Sequence, residues 1–180
     1  MSLTFAEAKI RLSSFLEEIE RNGRVDLNGI KVEVGLGTAM ARNRGTGEVS
    51  IQVGWKALGR KTLDQLEVDL GHEEQHVSDI RNSDILGTPH LLTEQRAMEA
   101  EIPILEAQGN SSETRRMKTV VADPEGVREE FSRRQQPAIP DPELRELFVD
   151  WYLNQPFGQI DTEEQNAWME RIRWASLLAS

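Results

Sequence analysis

His72-Glu73-Glu74-Gln75-His76 is the stretch on which the reading of this chain turns. On a helix, residues four apart share a face one turn apart, so His72 and His76 stand side by side and can share one tetrahedral Zn²⁺. Glu73 lies roughly 100° around the axis from His72, beside the metal rather than on it. A general base must stand there to take a proton from a water on the metal. The HExxH pattern is specific for this chemistry, and the chain places two of its three histidines in it.

The flanking residues predict a helix around the motif. Thr62 with Gln65 forms a capping box, and the helix runs to about Asn82. Leu63, Leu66, Leu70 and Val77 make one apolar stripe, with His72 and His76 nearly opposite it. The core therefore holds one face and a site occupies the other. Thr88-Pro89 predicts the next helix, with Thr88 as N-cap, running to about Ile102 where Pro103 stops or kinks it. Glu94, Ala97, Met98, Glu101 and Leu105 fall on one strip. Carboxylates on an otherwise apolar strip require something positive to meet them.

A catalytic zinc takes three protein ligands and keeps one open position. The downstream candidates for the third ligand are Asp79, Asp84, His90, Glu94, Glu99 and Glu101. Asp79, two turns beyond His72 on the same helix, reads as support for the site rather than as a ligand. Glu94 lies near the start of the next helix, level with the histidine pair if that helix folds back antiparallel, and is the expected ligand. Glu101 lies two turns further, about 10 Å along the axis. It stays an alternative, as do Asp84 and His90 near the turn; Glu99 faces elsewhere. His90, Tyr152 and Arg96 are the available oxyanion donors, and the sequence does not choose among them.

Upstream, residues 4 to 22 predict an amphipathic helix. Phe5, Ala8, Leu12, Phe15, Leu16 and Ile19 recur at three- and four-residue spacing, Thr4 and Glu7 form a capping box, and Asn22-Gly23 is a stop. From 24 to 55 the period becomes two. Val25 and Leu27, then Ile30, Val32 and Val34, alternate around the hairpin signal Asn28-Gly29, and Val49, Ile51, Val53 and Trp55 follow Gly45-Thr46-Gly47. Three or four antiparallel strands are expected.

Downstream, the composition shifts between Ala107 and Pro142. Gly109-Asn110-Ser111-Ser112 reads as a loop, Asp123-Pro124-Glu125 as a helix start, and Gln135-Gln136-Pro137 with Pro140 and Pro142 as a linker. Arg128, Arg133 and Arg134 read as a solvated basic face, with contact to an acidic partner as the sharper alternative. Asp141-Pro142-Glu143 starts a helix carrying Leu144, Leu147, Phe148, Trp151 and Tyr152. Asp161 with Glu164 caps another, with Trp168, Ile172, Ala175 and Ala179 in register. These aromatic residues pack the lobe on the domain or offer a protein partner a surface.

Composition narrows the classes. The chain has 180 residues, 38% hydrophobic and 29% charged, with a net charge of −10. Mean hydropathy is −0.53 and the pI about 4.9. That suits one domain with a helical appendage and disfavours nucleic-acid partners, since phosphates are repelled. Cysteine is absent, so thiolate metal sites and disulfides are excluded. No secretory signal and no membrane-spanning run of about 18 apolar residues is present. The expected location is cytoplasmic, or outside the cell by way of a dedicated export machine.

HExxH, a turn, then Glu94-Gln95-Arg96-Ala97 at the head of a second helix resembles the gluzincin pattern of HExxH followed by ExxA. In size and layout the chain is similar to compact HExxH peptidase domains of bacterial toxins and injected effectors. The resemblance covers about residues 49 to 102. It implies an α+β, zincin-like fold: a small antiparallel sheet, the HExxH helix and following helices, with a C-terminal helical lobe. The implied zinc ligands are His72, His76 and Glu94, with Glu73 as base, Zn²⁺ as cofactor and a protein or peptide as substrate. It also implies that the last strand edges the cleft and pairs with an extended substrate. The metzincin variant is not matched, because its Gly and third His positions hold Asp79 and Asn82. The expected organisation is a peptidase core over 1–106, a flexible or helical connector over 107–142 and a C-terminal helical lobe over 143–180. One rival is a carboxylate-bridged di-iron bundle, which needs a second Glu-x-x-His that this chain lacks. Another is a non-catalytic inhibitor or adaptor with a vestigial or structural metal site.

Overall fold

The computed structural model of the chain describes residues 3–42, 46–159 and 162–178. In chain order the elements are α1 (Phe5–Asn22), β1 (Lys31–Gly35), β2 (Ala39–Arg42), β3 (Val49–Gly54), α2 (Trp55–Leu58), α3 (Leu63–Arg81), a short 3-10 turn (Ser83–Ile85), α4 (His90–Ala107), α5 (Ser111–Val120), α6 (Pro124–Gln135), α7 (Pro142–Asn154) and α8 (Thr162–Leu178). The class is α+β, mostly helical, with one small sheet.

Local chemistry sets the element ends. The Thr4/Glu7 and Thr62/Gln65 boxes both form, each with side chain and backbone answering one another. Gly23 closes α1 at φ 66°, a left-handed cap that glycine adopts without a Cβ penalty. Asp123 and Asp141 cap α6 and α7 with proline at the first turn. The proposed cap at Asp161 and the register position of Ala179 lie outside the described residues.

The sheet differs from the expected antiparallel arrangement. Its order is β1-β3-β2, with β1 parallel to β3 and β2 antiparallel to it. Asn28-Gly29 does turn the chain, with Gly29 at φ 71°, but no hairpin forms around it. Val25 is drawn instead into the core beneath α3, so the residues before the turn have no strand to offer. Central β3 buries Ile51 and Val53 completely, and Trp55, expected at its end, opens α2.

Two apolar cores flank a helical pair. Ala8, Leu12 and Ile19 of α1 meet Ile51, Val53 and the Leu66-Leu70-Val77 stripe of α3 on one side. Met98 and Leu105 of α4 meet Met117, Val127, Phe131, Val149 and Leu153 on the other. Residues 107–142 hold α5 and α6, both packed on α4. Pro103 neither stops nor ends α4, which continues to Ala107. Pro103 and Glu99, whose carbonyl it leaves without its usual donor, are both exposed, so solvent can take that acceptor. Thr88 is not the N-cap of α4: its hydroxyl donates to the Ile85 carbonyl at 2.7 Å, and Pro89 takes the cap position. α8 docks through Trp168, whose ring lies 5.8 Å from Phe148 and 5.7 Å from Trp151.

The close approach of α3 to α4 depends on Gly71. A Cβ there would stand 2.2 Å from Ile104 Cδ1. Overpacking of this kind costs about 1–3 kcal/mol, against about 1 kcal/mol gained by replacing a mid-helix glycine with alanine. Gly71→Ala is therefore expected to lower the melting temperature, and adding Ile104→Val, which removes the obstructing methyl, to recover part of the loss. A Gly71→Ala protein that melts higher than wild type would show that the helices are not held at this separation.

Candidate metal centre

Between the two cores, the facing sides of α3 and α4 carry polar residues where apolar ones would be expected. His72 and His76 project from consecutive turns of α3, ring centroids 4.9 Å apart and nearly perpendicular. Glu94 meets them from the second turn of α4. Its Oε2 lies 3.3 Å from His72 Nε2 and its Oε1 3.4 Å from His76 Nε2. One ligand atom from each residue falls within 4.8 Å of the others, so the group could hold a metal ion. Two ligands ~2.0–2.1 Å from a tetrahedral centre stand ~3.3 Å apart; each histidine lies at about that distance from one Glu94 oxygen, His72 from Oε2 and His76 from Oε1. The three residues are 9%, 6% and 4% exposed.

The alternatives fall elsewhere. Asp84 and Glu99 are exposed. Asp79 is buried, and its Oδ1 accepts from Gln75 at 2.7 Å and from Arg96 at 3.0 and 3.1 Å. That pairing occupies Arg96 and removes it from the oxyanion candidates. Glu101 is inside the site but on the far side of His72: its Oε1 lies 2.7 Å from Nδ1, the nitrogen turned away from Glu94. In the neutral ring, with Nδ1–H donated to Glu101, the lone pair falls on Nε2, the nitrogen that faces Glu94 and would bind a metal. Arg134 of α6 donates to both Glu101 oxygens, at 2.7 and 2.9 Å.

Glu73 sits between the histidines and the sheet. Its Oε2 accepts from the Met40 N–H at 2.7 Å, so the strand beside it is β2, an edge strand, and not the last strand β3. His90 opens α4 one turn before Glu94. Neither of its ring nitrogens has a hydrogen-bond partner among the described residues. Its ring is 4.5 Å from Tyr152 and 5.2 Å from Phe157, while Phe157 also lies 6.0 Å from His76. Phe157 is held there by main-chain bonds that tie Gln155 and Phe157 to Gly87, Thr88 and His90.

The electrostatics follow from this packing. Burial disfavours charge on His72, yet hydrogen bonds to Glu101 and Glu94 outweigh it and raise its pKa to about 10. Burial would raise Glu94, but His76 and His72 hold it well below the usual carboxylate range. Burial dominates at Glu73 and pushes its carboxyl up. His90 is pushed down to about 4 by burial, so it is neutral at pH 7. Burial and the charges of Glu94 and Glu73 push the Tyr152 hydroxyl well above its ordinary value.

Sequence reasoning missed Arg134, the Met40 N–H and Phe157. The need for a cation opposite Glu94 and Glu101 was readable, and a basic cluster was visible at 128–134, but nothing joined the two. Those arginines are paired inside the chain, Arg128 with Glu146 and Asp150 and Arg133 with Glu130. Comparison with family models, curated proteins and solved structures finds no match to this chain. The functional reading therefore rests on the site itself.

Two outcomes are expected. Glu94→Ala should all but abolish stoichiometric metal, whereas Glu101→Ala should weaken binding by about 10–100-fold, as removal of an outer partner does; metal titration of both variants checks the order. In the metal-free protein, His72 has a folded pKa above its unfolded value. Its contribution to stability is full below about 6.5 and is lost as pH rises through about 10. Glu94, whose pKa is depressed, loses its contribution only in acid. The melting temperature of chelator-treated protein should thus fall between pH 7 and 10, more steeply than that of His72→Ala.

Proposed function

We propose that the chain is a zinc-dependent hydrolase acting on peptide bonds, with His72, His76 and Glu94 as ligands and Glu73 as general base. The observation that carries this is the convergence of two histidine nitrogens and one carboxylate, the donor set of catalytic zinc, beside a half-buried glutamate in the HExxH register. Zinc in such a site supplies a Lewis acid for the scissile carbonyl and an acidified water.

The chain's own residues supply the rest. The Met40 N–H fixes Glu73 through Oε2 and leaves Oε1 to take the proton of the attacking water and return it to the leaving amine. Burial raises the proton affinity of that carboxyl, which suits a group that must hold a proton between two steps. Tyr152 stays protonated, and its ring packs against His90 at 4.5 Å, one turn before Glu94, which makes it the candidate donor to the developing oxyanion. Neutral His90 packs against it. Relatedness to gluzincins, and to toxin or effector peptidases in particular, is part of the same proposal.

A second reading is a structural metal site in a non-catalytic interaction protein, and the deep burial of all three ligands favours it. Kinetics on a peptide library separate the two. Glu73→Gln is expected to retain zinc and fold and lose at least ~10²-fold in turnover, and Tyr152→Phe to lose ~10²-fold in kcat. Zinc-loaded wild type without turnover would favour the structural site; normal turnover by Glu73→Gln would show that Glu73 is not the base.

A further inference from the structure

Behind His72, on the side away from Glu94, runs a set of ion pairs between buried carboxylates and partly exposed arginines that the hydrolytic chemistry does not use. Glu101 Oε1 faces His72 Nδ1 at 2.7 Å. Arg134 grips the same carboxylate with two prongs, Nη1 to Oε1 at 2.7 Å and Nη2 to Oε2 at 2.9 Å. Its Nε donates to Glu130 at 2.8 Å. Glu130, 3% exposed, also accepts from Arg116, at 2.7 Å on one oxygen, and from Arg133, at 2.7 and 2.9 Å.

Glu94 and Glu101 lie on the same buried strip of α4 and are both within reach of His72, one at each ring nitrogen. A buried carboxylate with free side-chain torsions beside a divalent cation would turn toward that cation, because the Coulomb attraction is weakly screened there. A guanidinium fork that engages both oxygens fixes the plane of the carboxylate and removes that freedom.

We propose that Arg134 is a positioning residue of the metal centre: by holding both oxygens of Glu101 it commits that carboxylate to His72 Nδ1, and so decides which glutamate binds the metal and how tightly. The proposal rests on the metal-centre reading above. It makes α6, 33 residues beyond Glu101 in sequence, part of the site's architecture. Glu130 is the anchor that orients the arginine, and Arg116 and Arg133 neutralise that anchor so that Arg134 is free to serve Glu101.

Arg133 provides the internal comparison. It holds the same Glu130, faces solvent, and among the described residues its guanidinium bonds Glu130 alone. A merely structural ion-pair network would change stability and leave the ligand geometry at the metal as it is, so the cobalt spectrum separates the two. The full chain is stripped of metal and titrated with zinc against a chromophoric chelator. Co²⁺ is then added to fresh metal-free protein, so that its absorption reports the number and geometry of ligands. Arg134→Met is expected to bind zinc about 10–100-fold more weakly, with an altered cobalt spectrum, and Arg133→Met to stay within about threefold of wild type with the spectrum unchanged. Arg134→Lys keeps the charge but not the fork and serves if Arg134→Met does not fold; several-fold weaker zinc and a changed spectrum are expected. An Arg134 variant that matches wild type in both readouts, or an Arg133→Met loss as large as that of Arg134→Met, overturns the proposal. Wild-type protein that takes up no zinc overturns the metal-centre reading itself, and the proposal with it.

Discussion

Carboxylates buried between helices organise this fold. Glu94, Glu101 and Glu130 are all nearly inaccessible to solvent. Burial of an unpaired carboxylate costs several kcal/mol, more than a typical domain can leave uncompensated. Each must therefore meet a cation or a set of donors, and each meets it across an element boundary: Glu94 with the histidines of α3, Glu101 with His72 and with Arg134 of α6, Glu130 with arginines of α5 and α6. The apolar cores on either side supply most of the driving force for folding, since they hold most of the buried hydrophobic area. The polar seam supplies register. Sliding α4 along α3 by one turn would keep much of the apolar contact but separate Glu94 from both histidines.

The same constraint explains how the site is well defined beside so small a sheet. A metal site needs its ligands fixed to a few tenths of an ångström, which paired helices provide better than loops. α3 carries two ligand candidates and the candidate base within five residues, 72–76, and α4 carries the third ligand candidate and the outer partner of His72 within eight, 94–101. The sheet contributes one main-chain N–H, from Met40 on an edge strand whose outward donor would otherwise face solvent. Gly71, immediately before His72, lets the two helices approach closely enough for one carboxylate to span both imidazoles.

Short-range chemistry was legible in the sequence, and long-range pairing was not. Capping boxes at Thr4 and Thr62, the α3 stripe and the strip of α4 depend on spacing within one or two turns, and the structure has them so; Glu94 meets the histidines because the short turn between α3 and α4 fixes which turns face each other. The hairpin at Asn28-Gly29 failed because its local turn preference was real but competed with burial of Val25, which depends on α1 and α3. Pro103 predicts a stop or kink because a proline removes a helical bond; packing of Ile104 and Leu105 on opposite cores carries the helix through to Ala107. Arg134 lay beyond reach for a different reason. Its partner is 33 residues away across two helices, and no local pattern distinguishes it from Arg133 beside it.

Access is the point at which fold and function meet. The candidate ligands are buried, with Phe157 lying against His76 and His90. That ring is itself 2% exposed, and its segment, residues 155–159, is tied by main-chain bonds to Gly87, Thr88 and His90. Segments tied by a few backbone bonds open at far lower free energy than core helices do. Opening there would uncover the side of the site formed by His90 and Phe157 while α3, α4 and the ion pairs behind His72 stay in place. The candidate ligands are thus fixed by the carboxylate and guanidinium on one side of His72 and covered by the Phe157 ring beside His76.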